Sequence, residues 1–428
     1  GGVWQRMIGV RAFGPPSYCL QHTTCVTARE VTGVWTVPML RPSRRASSAG
    51  EAVIERILAT YMRPGVINLA PGVAHWAPPA TLQAEALRGG SDYGDCRGEQ
   101  ALRDALHTKL SVENGHAMAN RGAMVTPGAN QAFAHTMLAL CDPGDEAILF
   151  RPYYFSHLVA LQLLGVKPVF VDSDVRTGLP DLDGVRAALR RPGARVRAAV
   201  LVSPSNPSGA VSPALHVSAL RKECAAAGAW LVSDEAYEHF VYGAAQHTSA
   251  AAALDPGEDG EGVVTLHTFS KSYGLAAWRV GYISSPSLLH EPLLTVQDTL
   301  PTHACRASQR LAVAALTHLG TPWVEQQVEG LEPVRRLLWE ALEPLNASTD
   351  TPQPDGAFYF WLPLPAHFAD DDEAAVRWLA EEHGLLMLPG SAFGRPGFLR
   401  LAYGTLASAQ EAAPVAERLA RVAAIWSR

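Results

Sequence analysis

Lys271, one of only four lysines among 428 residues, stands where a side chain can do chemistry. It follows an apolar run, Val263 to Leu266, that reads as a buried strand. Thr268, Ser270 and Ser272 flank it, and a small-residue segment closed by Trp278 and Arg279 comes next. In open α/β sheets ligands bind at strand exits, and an amine held there among apolar neighbours loses part of its proton affinity and becomes a nucleophile toward a carbonyl. A solvated loop lysine is the plainer alternative, and this segment alone does not choose between them.

Other chemistry-bearing residues fall at equivalent places. Gly128, Ala129 and Asn130 open a helix after AMVT, Tyr153 and Tyr154 follow EAILF, Asn206 lies in the turn PSNPSG, and Asp234 ends WLVSD. Parallel strands bring their C-terminal ends to one edge. A single crevice would then hold a helix N-terminus suited to phosphate, an aromatic face, an amide, a carboxylate and a lysine. Taken singly, Asn206 is a turn former, Tyr237 a core residue, and Arg279 or Arg400 a surface cation. Five distinct capabilities at successive strand exits point to a ligand site instead. Pyridoxal 5′-phosphate has the matching features: a phosphate, a ring nitrogen that wants a carboxylate, a phenolic oxygen that wants donors, and an aldehyde that wants an amine.

The elements that must position these residues read as α/β. From Ala123 onward short apolar strands alternate with helical segments, the signature of βαβ units and a mostly parallel, doubly wound sheet. Before them, Ala49 to Met62 has helical spacing, Ile67 to Pro79 is a loop dense in Gly and Pro, and Tyr93 and Gly94 sit in a turn. After about residue 310 the pattern changes to long amphipathic helices with a few strands, an α+β arrangement. The expected division is an N-terminal extension (1–44), a joining segment (45–69), a large α/β domain (70–310) and a small C-terminal domain (311–428). No low-complexity linker separates the last two, which implies that they pack together.

Composition narrows the partners. The chain is 48% apolar with a formal charge of −6, and no basic stripe is interleaved with aromatics, which argues against nucleic acid and anionic membranes. Six cysteines lack CxxC or His/Cys ligand spacing, so no metal site is expected and reduced thiols are the default. No apolar run reaches the roughly 18 residues of a membrane span. Residues 1–50 hold six arginines and one acid, Glu30, a bias like that of an organelle transit peptide; a misassigned gene start is the competing explanation. The expected location is cytoplasmic, or a plastid or mitochondrion if the segment is a transit peptide.

The segments GANQAF, PSNPSG, DEAYEHFVY, TFSKSYGLAAWRVGY and FLRLAYG resemble, in order and spacing, those of class I/II aminotransferases of the fold-type-I superfamily, over about residues 45 to 425. The resemblance implies a pyridoxal-phosphate transferase. Lys271 would be the Schiff-base lysine and proton shuttle, and Asp234 the partner of the pyridine nitrogen. Asn206 and Tyr237 would reach the ring hydroxyl. Gly128, Ala129, Asn130, Thr268, Ser270 and Arg279 would cradle the phosphate, Tyr154 would stack on the ring, and Tyr93 would arrive from the second subunit of a homodimer. Arg400 would grip the substrate α-carboxylate, helped by the backbone of Gly72 and by Asn206, while Trp76 would add aromatic surface at the mouth.

A narrower resemblance concerns GVAHWAPP, TPGANQAFAHTMLALCDPGDEAILFRPYYFSH and VRWLAEEHGLLMLPG, which look like plant-type aromatic aminotransferases. It implies exchange of amino groups between aromatic amino acids or methionine and 2-oxo acids. Glu235 and Ala236 depart from a pattern that varies among relatives. A 1-aminocyclopropane-1-carboxylate synthase or a carbon–sulfur lyase would use the same Lys271, Asp234 and Arg400, and a non-catalytic cofactor-binding regulator is the more distant alternative. Arg306 and Arg310 are candidate grips for a second carboxylate, should the substrate have one.

Overall fold

Seven strands make the central sheet: β1 (Arg121–Thr126), β2 (Glu146–Arg151), β3 (Lys167–Asp172), β4 (Val196–Val202), β5 (Trp230–Asp234), β6 (Val263–Thr268) and β7 (Gly281–Pro286), in spatial order β1-β7-β6-β5-β4-β2-β3. Only β7 runs against its neighbours β1 and β6; the other pairings are parallel. This computed structural model describes residues 41–252 and 260–427. The transit-peptide reading of the N-terminal segment falls almost wholly outside them.

The apolar strand runs have a direct cause. Ala147, Leu149, Val200 and Val232 pack into a core on one face with Phe133 and Met137 of the helix Ala129–Leu140, whereas Ile148, Phe150, Leu201 and Leu231 pack on the other with Val217 and Leu220 of the helix Ala214–Ala226. A sheet covered on both faces needs continuous rather than alternating apolar residues. The strand β7, sequence GYISSP, was not expected from its composition. All six residues are nonetheless buried, and the Ser284 hydroxyl is paired, 3.2 Å from Nδ1 of His116.

A second, antiparallel sheet comprises β8 (Tyr359–Pro363), β9 (Leu388–Pro389) and β10 (Phe398–Ala402), in order β9-β10-β8. It shares a core with two long helices. Val324, Val328, Leu331, Val334 and Leu338 of Gly320–Ala341 recur every three or four residues and are buried with Val415, Leu419 and Val422 of Ala409–Trp426. The last helix starts at Ser408, whose hydroxyl accepts from the Glu411 N–H at 3.2 Å while the Glu411 carboxylate accepts from the Ala407 N–H at 3.0 Å. The joining segment is fastened to this part of the molecule. Ile67–Asn68 pairs in parallel with Leu385–Leu386, and Arg56 of the helix Val53–Tyr61 grips Glu373 through two bonds of 2.6 and 2.9 Å.

Candidate active site

A cavity of about 210 Å³, open to solvent, lies at the C-terminal edge of the parallel strands. Three stretches of chain line it: the strand exits with Asn130, Tyr154, Asn206, Asp234 and Lys271; the N-terminal segment with Ile54, Gly72 and Val73; and the three-stranded sheet with Tyr359 and Arg400.

The lysine is aimed by its local fold. β6 ends at Thr268, whose Oγ1 accepts from the Ser270 N–H at 3.1 Å and so starts the single helical turn Phe269–Ser272 that turns Lys271 into the cavity. Its Nζ donates to the carbonyl of Gly72. Burial, reinforced by the nearby cations Arg400 and Arg279, pulls the ammonium down to about 8 against the weaker opposing pull of Asp234. An amine in that range exchanges its proton near neutral pH.

One corner is built for an anion. The helix Ala129–Leu140 begins at Gly128, whose φ of 83° is a left-handed value open to glycine; the first intrahelical bond is from Ala132, leaving earlier N–H groups directed outward. A β-carbon at Gly128 would stand 2.5 Å from Nη2 of Arg279, so glycine also makes room for the guanidinium. Arg279 itself adopts φ 49° and places Nη1 3.5 Å from Oγ of Ser270, beside Thr268. Helix N-terminus, guanidinium and two hydroxyls therefore converge.

Across the cavity, Asp234 at the end of β5 accepts from the Ala236 N–H at 3.1 Å, and its Oδ2 lies 3.1 Å from Nε2 of buried His157. The imidazole stacks on Phe133 at 4.1 Å, which fixes its plane. Beyond Asp234 the hydroxyls of Tyr237 and Tyr359 share a hydrogen bond, and burial next to Tyr359 raises the Tyr237 phenol well above its ordinary value. Arg400, 1% exposed, donates from Nη1 to Oδ1 of Asn206 at 2.9 Å and from Nη2 to the Ala70 carbonyl, while its Nε has no hydrogen-bond partner among the described residues.

Of the residues expected at the site, Gly72, Ala129, Asn130, Tyr154, Asn206, Asp234, Tyr237, Thr268, Ser270, Lys271, Arg279 and Arg400 line this one cavity, and Gly128 caps the helix behind it. Trp76 is a correction. It is buried away from the lining, stacked on Phe240, with its indole N–H donating at 3.0 Å to the carbonyl of Ser272, the residue after the lysine. Tyr93 is 86% exposed and touches His303 rather than this cavity. Arg306 and Arg310 are committed elsewhere, to Glu99 at 2.6 Å and to the Ala86 carbonyl at 2.9 Å.

Sequence reasoning passed over His157 and Tyr359. The histidine was within reach, three residues past Tyr154 and one helical turn from a strand exit; Tyr359 belongs to the other sheet and gave no such signal.

Comparison with known proteins agrees with this geometry. The model of the family "Aminotransferase class I and II" matches residues 65–419. The chain is 37% identical to the aromatic aminotransferase ISS1 of Arabidopsis thaliana over 83% of its own length and 89% of that protein's. It is 32% identical to the aspartate/prephenate aminotransferase of Thermus thermophilus, covering 84% and 92%. Among solved structures, aspartate aminotransferase from Thermus thermophilus with maleate superposes with a TM-score of 0.79 at 30% identity, covering 90% of this chain and all of that one. The aromatic aminotransferase of Pyrococcus horikoshii gives 0.75 at 29%, covering 87% and 98%.

Proposed function

The chain belongs to the class I and II aminotransferases, a pyridoxal-phosphate-dependent family, and from that premise we propose that it moves an amino group between aromatic amino acids or methionine and 2-oxo acids. The cofactor suits the residues present. Thr268, Ser270, Arg279 and the helix N-terminus at Ala129 would hold the phosphate, in a corner that a β-carbon on Gly128 would fill. When bound, the cofactor supplies an electrophilic carbonyl and an electron-withdrawing ring.

This chain's own side chains account for the remaining work. The Lys271 amine, already held near pH 8, would take and return the substrate's Cα proton at Nζ. Asp234, fixed by the Ala236 N–H and by His157, would keep a ring nitrogen protonated. Tyr237 and Asn206 would donate to the ring oxygen, Tyr154 would cover the ring, and Arg400 would receive the α-carboxylate on the N–H groups that Asn206 and Ala70 leave free. Exposed Tyr93 suits the homodimer reading, in which a second copy would receive it.

One observation carries the substrate class. The cations lining the cavity are Lys271, Arg279 and Arg400, while Ile54, Val73 and Phe155 provide apolar wall. With Lys271 on the cofactor's carbonyl, Arg279 at the phosphate corner and Arg400 on the α-carboxylate, no lining cation among the described residues remains for a second carboxylate, whereas an aromatic ring gains about 25 cal/mol per Å² of apolar area removed from water. The name of the Thermus relative favours acidic donors instead. Steady-state kinetics with purified enzyme decide between them. Tryptophan, phenylalanine, tyrosine or methionine should exceed aspartate and glutamate in kcat/KM by at least about tenfold, or 1.4 kcal/mol; an acidic donor that matches the best aromatic one would refute the assignment.

A further inference from the structure

We propose that Tyr359 is a positioning residue with two duties: its hydroxyl donates a hydrogen bond to Tyr237 that orients and strengthens Tyr237's own donation into the cavity, and its ring holds the Arg400 guanidinium in place. The inference rests on the function proposed above and extends it to a residue of the second sheet. Tyr359 begins β8 and is 1% exposed; two positions along the neighbouring strand from its partner Ala402 stands Arg400. Its hydroxyl meets that of Tyr237, and the centre of its ring is 4.5 Å from Cζ of Arg400, with the Phe393 ring at 5.1 Å. Gly72 is part of the arrangement. A β-carbon there would stand 2.0 Å from the Tyr359 oxygen, so the missing side chain is what admits the hydroxyl.

Proton counting assigns the direction. Each phenol has one O–H and can also accept. If Tyr237 gives its proton to Tyr359, none is left for an oxygen in the cavity. An anionic ligand oxygen beside Tyr237 therefore orders the pair so that Tyr359 donates to Tyr237 and Tyr237 donates outward, and the first bond strengthens the second. Arg400, Lys271, Asp234 and Tyr154 are the charged and titratable groups facing the pair. The ring has a separate effect. An aromatic face against a guanidinium attracts it and restricts its rotation, and that alignment is what a planar carboxylate needs.

Two substitutions separate these duties. Tyr359→Phe keeps the ring and removes the hydroxyl, whereas Tyr359→Leu removes both. Each variant and the wild type are loaded with pyridoxal 5′-phosphate and titrated by absorbance, and the dissociation constant of 3-phenylpropanoate, a carboxylate that cannot react, is measured by calorimetry. Weaker donation to the ring oxygen raises the proton affinity of the lysine-bound nitrogen. Tyr359→Phe should therefore move the absorbance midpoint up by about half a pH unit or more and leave the dissociation constant within about twofold. Tyr359→Leu should show the same midpoint change and a dissociation constant raised at least about fivefold. A midpoint in Tyr359→Phe equal to that of the wild type overturns the hydroxyl's role, even if the leucine variant does not fold. An unchanged dissociation constant in folded Tyr359→Leu overturns that of the ring. A wild-type chain that never acquires the cofactor's absorbance would instead refute the functional reading, and this inference with it.

Discussion

Nη1 of Arg400 and Oδ1 of Asn206 are 2.9 Å apart, a hydrogen bond that aims the cation of one sheet with the amide of a turn leaving the other. Neither side chain needs to reorganise before a carboxylate arrives, because the Ala70 carbonyl holds the second terminal nitrogen. The grip is preorganised, and a point charge on a flexible stem would not reproduce it.

Replacing Arg400 by lysine keeps the charge and discards the fork. Transition-state binding should weaken by roughly 1 to 3 kcal/mol for aromatic and acidic donors alike. Steady-state kcat/KM across a donor panel checks this, and a loss confined to one donor class would show that the α-carboxylate binds elsewhere.

Lys271→Ala should abolish transamination without unfolding the chain, as read by circular dichroism and activity. The cofactor-free protein offers a second test. The Lys271 ammonium has a folded value near 8 against 10.5 in the unfolded chain, so between those values the unfolded state binds more protons. Stability should therefore rise as pH increases from about 8 to about 10.5, and this contribution should disappear in Lys271→Ala. Urea midpoints across that range for both proteins measure the difference; identical slopes would contradict it.

His157→Phe preserves the stacking on Phe133 and deletes the nitrogen 3.1 Å from Asp234. The carboxylate then keeps only the Ala236 N–H as an anchor, and kcat should fall about tenfold with KM changed by less than about threefold. Steady-state and single-turnover kinetics across a range of donor concentrations would test this directly. A larger effect on KM than on kcat would assign the histidine to substrate binding.

Trp76→Phe removes the N–H that bonds the Ser272 carbonyl. Thermal unfolding should report a loss of about 1 kcal/mol, while the ratio of kcat/KM between phenylalanine and aspartate stays constant. A changed ratio would return Trp76 to the cavity mouth.

Much of this was legible because chemistry and topology coincide. A parallel sheet collects strand exits on one edge, so Asn130, Asn206, Asp234 and Lys271 could be placed together from their positions after apolar runs. Tyr359 and Trp76 were not legible in that way. The cavity contact of Tyr359 depends on how the three-stranded sheet lies against Gly72, and Trp76 is turned inward by a hydrogen bond to a segment 196 residues away. The strand β7 escaped because its serines look like a loop, although burial and the pairing of the Ser284 hydroxyl with His116 make them compatible with a strand.

The pairing of Ile67–Asn68 with Leu385–Leu386 sets an order on the birth of the site. On the ribosome, the segment carrying Gly72 emerges early and must wait for nearly three-quarters of the chain before its strand partner exists, and Arg400 emerges later still. Lys271 and the phosphate corner can assemble first, so a nascent chain would be able to capture cofactor before it can distinguish one amino acid from another.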